Sequence, residues 1–175
     1  MKSTGNTILI TGGGSGIGEA LAHRLHDLAD AEATITTNLL GPIRLINALT
    51  DHLRQQADAA IINTTSGLAF VPLLATPTYN ATKAALHSYT VALREILKDS
   101  VEVIELAPPA VQTDLTPGQA TREGYLPLAD YIDEVITLLT ASPTPAEVLV
   151  QRVLFLRNAE KEDRYAQTLA ALNSH

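Results

Sequence analysis

Hydrophobic positions along the chain follow two rhythms. Short β-branched runs at residues 7–11 (TILIT), 59–65 (AAIINTT) and 101–106 (VEVIEL) predict buried strands. Elsewhere apolar residues recur at helical spacing. Ile17, Leu21, Leu25 and Leu28 predict a first helix. Ile35, Leu39, Ile43, Ile46, Leu49 and Leu53 predict a second, with Asp30 as its N-cap. A long third helix is expected over about 78–97, with Ala85, Tyr89, Leu93 and Ile96 on one face. Beyond Pro108-Pro109, turn and polar residues make 111–126 an irregular connection. Three helical segments close the chain. One spans about 128–139, one is announced by the capping box Thr144-Pro145-Ala146-Glu147, and the last carries Tyr165, Leu169 and Leu172. Strands alternating with helices imply an α/β domain with a parallel sheet covered on both faces.

Composition narrows the function classes. The 175 residues suit one domain, residues 1–175. Twelve basic against nineteen acidic residues give a net charge of −7. That balance opposes nucleic-acid binding and offers no polybasic membrane anchor. With no cysteine, thiol catalysis and cysteine-ligated zinc are excluded. His23 and His26 lie three apart with no carboxylate completing a ligand set, so no metal site is expected. No apolar run approaches the ~18 residues of a membrane span, and the N-terminus does not read as a signal peptide. A soluble, cytoplasmic protein is the expectation.

Two groups of residues carry chemistry. Thr11-Gly12-Gly13-Gly14-Ser15-Gly16-Ile17-Gly18 stands between a strand and a helix. Glycines there permit close backbone approach, and the helix N-terminus presents free N–H groups to a pyrophosphate. The Gly-Lys-Ser/Thr ending of a P-loop is absent. Tyr79 and Lys83, four apart, share a face at the start of the long helix. Ser66 directly follows the second strand, at the sheet edge where α/β proteins place ligands. No G-x-S-x-G elbow accompanies it. His87 continues the Tyr79–Lys83 face and is expected to pack or face solvent.

Taken together, these motifs resemble the short-chain dehydrogenase/reductase family. Residues 11–18 are similar to its T-G-x-x-x-G-I-G cofactor turn, Ser66, Tyr79 and Lys83 to its catalytic Ser and Y-x-x-x-K, and Asn38 to its catalytic Asn. The resemblance implies a Rossmann-like doubly wound parallel sheet and hydride transfer between NAD or NADP and a small alcohol or carbonyl substrate. Tyr79 would be the acid/base, Ser66 would hold the substrate oxygen, and Lys83 would bind the nicotinamide ribose. An ammonium beside a phenol favours the phenolate, which lets such a pair exchange a proton near neutrality. Pro42 lacks the N–H that would bond the Asn38 carbonyl, so a kink is expected there and, by the resemblance, a water of a proton relay. Thr113 would meet the nicotinamide carboxamide. The family's Pro-Gly before it reads Pro108-Pro109 here, and Pro lacks glycine's N–H and φ freedom. A homo-oligomer is implied as well.

The chain departs from that family at about 28–30. Leu28 runs straight into the next helix where a doubly wound fold needs further strands, so roughly seventy residues are absent. With them go the strand end that separates NAD from NADP and the sheet neighbour of residues 7–11. The sheet is therefore expected to be incomplete. The chain is either part of a longer protein or the product of a deletion, and the family spacing within each surviving segment favours the first. The alternative function is a defunct cofactor-binding or interaction protein on the same scaffold. The apolar loop at 67–78 (GLAFVPLLATPT) suggests an apolar substrate.

Overall fold

The computed structural model describes residues 30–115 and 118–174. Three strands form one parallel sheet: β1 (Ala60–Thr64), β2 (Glu102–Leu106) and β3 (Glu147–Val148), in spatial order β1-β2-β3. The register pairs Ala60 with Glu102 and Thr64 with Leu106 on one side, and Leu106 with Val148 on the other. β2 is thus the central strand. The predicted strand at 7–11 and the first helix lie outside the described residues.

Helix α1 (Gly41–Leu53) continues helical residues 30–35 through a π-helical turn, Thr36–Leu40. Asp30 is helical and is the first described residue of this stretch, so the helix start it was expected to cap falls at the edge of the described residues. The expected disturbance at Pro42 takes a definite form. The Gly41 N–H reaches back five residues to the Thr36 carbonyl, so the hydrogen-bond ladder widens just before the proline that cannot contribute to it. Helix α2 (Pro77–Leu97) starts with proline in its first turn, where the missing N–H costs nothing. Its buried side is set one position away from the predicted stripe. Leu86, Thr90, Leu93 and Leu97 are buried, whereas Ile96 is 69% exposed.

Helices cover the sheet on two sides. Ile46 of α1, Ile61 of β1, Val103 of β2, and Leu93 and Leu97 of α2 form one apolar cluster with Val101. Ile104 of β2 points the other way, into a cluster with Val111, Tyr131, Val135, Val148, Val150 and Val153. Tyr131 and Val135 come from α3 (Leu128–Leu139), which falls where its periodicity predicts. Burial among these side chains pushes the Tyr131 phenol up to about 12. Ile62, on the face of β1 turned away from α2, is 46% exposed among the described residues. Three strands among the described residues agree with the expectation that the sheet is incomplete.

The capping box at 144–147 does not open a helix. Glu147 instead starts β3, because its backbone pairs with Glu105 and its carboxylate is taken by Arg157. The Arg157 Nε and Nη2 donate to Glu147 at 2.7 and 2.9 Å, joining β3 to the short helix α4 (Leu154–Arg157). The chain ends in α5 (Tyr165–Leu172), as the sequence predicts. No helix among the described residues is long and apolar enough to cross a membrane.

This ion pair makes stability depend on pH. The hydrogen bonds from Arg157 hold the Glu147 carboxyl below its usual range despite partial burial. A depressed folded value means the contribution is complete above the unfolded pKa and is lost as pH falls through the folded one. Urea unfolding at about pH 7 and about pH 3 should therefore show a larger acid loss for the wild type than for Glu147→Gln. Equal losses would remove Glu147 from the acid limb.

Candidate active site

The parallel ladder continues past the end of β1 and holds the backbone on both sides of Ser66. The Thr65 N–H donates to the Leu106 carbonyl and the Gly67 N–H to the Pro108 carbonyl, both at 2.8 Å. Ser66 itself is buried and extended, and its Oγ accepts the Leu68 N–H at 3.1 Å. Among the described residues nothing accepts the hydroxyl proton, which leaves it to a ligand oxygen. Gly67 sits in close approach: a Cβ there would lie 2.7 Å from Leu156 Cδ1 and 2.8 Å from Val153 Cγ2, so those side-chain ends would have to shift to admit one.

Tyr79 and Lys83 come off the first turns of α2 on one face, as their spacing predicts. The Lys83 Nζ lies 5.6 Å from the Tyr79 ring centroid and donates to the Thr64 carbonyl at 2.9 Å. Burial pushes the Lys83 ammonium down from the ordinary lysine range. An ammonium has three N–H donors, and among the described residues Lys83 spends one. The others are available to hydroxyl groups of a ligand at the carboxyl edge of the sheet. Asn38 lies half-buried on the π turn, which packs against α2.

Past β2, the Thr113 Oγ1 accepts from Gln119 Nε2 at 2.9 Å, and the same amide donates to the Val111 carbonyl at 2.8 Å. Together with the bridge between Val111 and Leu126, this gives the irregular connection a fixed start. The proposed phosphate turn, Thr11, Gly12, Gly14, Ser15, Gly16, Ile17 and Gly18, lies outside the described residues, as do His23 and His26. The structure thus brings Ser66, Tyr79 and Lys83 to one end of β1, with Pro108 bonded beside Ser66. The Asn38 turn stands against the same helix.

The apolar loop after Ser66 lines a groove with α2 and α5. Leu68, Phe70, Leu73 and Leu74 line a groove of about 410 Å³ with Ala81, Ala84 and Tyr165. Ala81 and Ala84 lie off the face that presents Tyr79 and Lys83, so this groove is lined by a different side of α2. Asn173 secures the loop from the far end of the chain. Its Oδ1 accepts the Leu74 N–H at 2.7 Å and its Nδ2 donates to the Pro72 carbonyl at 3.2 Å.

A polar cluster beside the site is absent from the sequence-based picture. His87 is neither simply packed nor solvated: its Nδ1 lies 2.7 Å from Glu105 Oε2. The Thr65 hydroxyl donates to Glu105 Oε1 at 2.6 Å. The available signal was Glu105 itself, a charge inside the predicted strand at 101–106 of a sheet expected to be covered on both faces, where a carboxylate demands a partner.

Residues 25–124 match the family model for short chain dehydrogenases, and the chain belongs to that family. It is 41% identical over 134 residues to "Uncharacterized oxidoreductase DltE" of Bacillus subtilis, covering 74% of this chain and 52% of that protein. It is 32% identical over 142 residues to "Short-chain dehydrogenase fogD" of Aspergillus ruber, covering 78% of this chain and 49% of that one. A short chain dehydrogenase from Burkholderia cenocepacia, solved in complex with NADP, superposes with a TM-score of 0.69 at 25% identity, covering 83% of this chain and 61% of that structure. The chain spans about half the length of these curated relatives.

Proposed function

We propose that the protein of which these residues form the catalytic part transfers hydride between a nicotinamide cofactor and an alcohol or carbonyl compound. One observation carries the reading: Lys83 and Tyr79 share a helix face, and the ammonium reaches the carboxyl end of β1 two residues before Ser66. The NADP-bound neighbour and the family match support the cofactor class.

The bound nicotinamide would supply or accept the hydride. This chain's residues do the rest. The Ser66 hydroxyl, its oxygen already engaged by the Leu68 N–H, donates to the substrate oxygen and orients it. Tyr79 gives that oxygen a proton during reduction and takes it back during oxidation. Lys83 places a positive charge beside the Tyr79 ring, and its unspent donors fit the ribose hydroxyls. Thr113, held by Gln119, offers its hydroxyl to the carboxamide. Asn38, on the widened turn against α2, would hold the relay water.

The homo-oligomer expectation stays part of this proposal. It is supported by the exposed apolar side chains of Leu45 and Leu49 on α1 and of Val91 on α2.

Titration of NADPH against the chain, followed by its fluorescence, tests the cofactor half of the reading. Wild type should bind, and Lys83→Met should bind about 10-fold or more weakly, the loss expected for hydrogen bonds from a charged donor. A folded chain that does not bind would favour a scaffold without turnover, and a variant that binds equally well would remove Lys83 from the ribose.

A further inference from the structure

We propose that Glu105 is a positioning residue, clamping Ser66 to the helix that carries Tyr79 and Lys83; the inference rests on the catalytic reading above. Glu105 is fully buried and sits in the central strand, its N–H bonded to Ala146 and its backbone paired with both neighbours. From that fixed point the carboxylate reaches in two directions. Toward β1 it accepts the hydroxyl of Thr65, the residue before Ser66. Toward α2 it accepts Nδ1–H of His87, at 2.7 Å from Oε2 and 3.0 Å from Oε1. His87 stands one turn beyond Lys83 and two beyond Tyr79. A single carboxylate therefore spans the strand end and the helix whose separation sets the distance between Ser66 and Tyr79.

Burying a carboxylate costs several kcal/mol before its partners offset it, and an apolar side chain of similar volume is often as stabilising. Stability alone thus gives weak grounds for a charge here. Directional bonds to two elements do what an apolar side chain cannot: they fix a distance rather than only fill a space. A second support reaches the same imidazole. Phe70 meets the His87 ring edge-on with centroids 5.1 Å apart, and the Arg157 guanidinium lies 4.7 Å over Phe70. A metal reading is less economical. His87, Glu105 and Glu147 bring ligand atoms within 4.8 Å of one another, but both Glu147 oxygens already accept from Arg157.

The test uses magnetic resonance of the isotope-labelled chain, following the Ser66 amide and the Tyr79 ring. Glu105→Leu removes both bonds and should shift or broaden both signals, while signals from α3 hold. Glu105→Gln keeps an acceptor of the same shape and should return them partway. Glu102→Gln, exposed on the same strand, should move neither. With NADPH and para-nitrobenzaldehyde as probes, Glu105→Leu should lower kcat about 10- to 100-fold, the cost of small misplacement. KM should stay within about two-fold, because the groups are misplaced rather than removed from binding. Unmoved Ser66 and Tyr79 signals in a folded Glu105→Leu chain overturn the clamp. Should that variant not fold, Thr65→Val cuts only the strand-side bond, and unmoved signals there overturn it equally. A Tyr79→Phe chain that still turns over defeats the acid/base reading instead, and the resonance measurement then judges the clamp separately.

Discussion

Tyr79→Phe should abolish turnover in a chain that melts where the wild type melts. The substitution removes one oxygen and leaves the ring beside the Lys83 ammonium. Among the described residues the Tyr79 hydroxyl has no hydrogen-bond partner, so its loss leaves no buried group unsatisfied. The cost falls on chemistry. Proton transfer by a positioned side chain contributes about 10²- to 10⁴-fold, and that factor should disappear from kcat with NADPH and para-nitrobenzaldehyde. A thermal melt on the same preparation separates a lost proton donor from a lost fold. Retained turnover would mean that another group delivers the proton.

The second large effect is on stability, and it separates two neighbouring residues. Leu97 is 1% exposed, in the cluster with Ile46, Ile61, Val101 and Val103. Leu97→Ala opens a cavity between α2 and the sheet and should cost about 2–5 kcal/mol. Ile96, one residue earlier and 69% exposed, should lose no more than about 0.5 kcal/mol on truncation to Ala. Urea unfolding of the two variants reads the difference directly. Similar losses would mean that α2 is rotated relative to the packing described above.

That contrast also marks the limit of what periodicity can say. The helix over 77–97, the two main strands and the helices over 128–139 and 165–172 all follow from the spacing of apolar residues. The rotation of α2 does not, because Ala85, Tyr89 and Ile96 make nearly as good a stripe as Leu86, Thr90 and Leu97. Thr90 is buried because it accepts a bond from Asn63 of β1 and donates to the Leu86 carbonyl, which no hydrophobicity pattern records. Residues 144–147 failed for a related reason. Thr-Pro-Ala-Glu is sound local chemistry for a helix start, but pairing with Glu105 and the bond to Arg157 override it. Of the site, Tyr79 and Lys83 were legible because four residues make one helical turn. The Glu105 clamp was not, because its three members come from different elements and meet only in the folded chain.

Asn173 carries a consequence for anyone exchanging parts between members of this family. The loop after Ser66 looks like a self-contained unit that could be grafted, yet two of its backbone groups are satisfied by a side chain about a hundred positions downstream. A chimera that imports residues 67–76 alone would bring in backbone groups with no amide waiting for them. The transplantable module is discontinuous: the loop together with α5 and Asn173, moved as one piece.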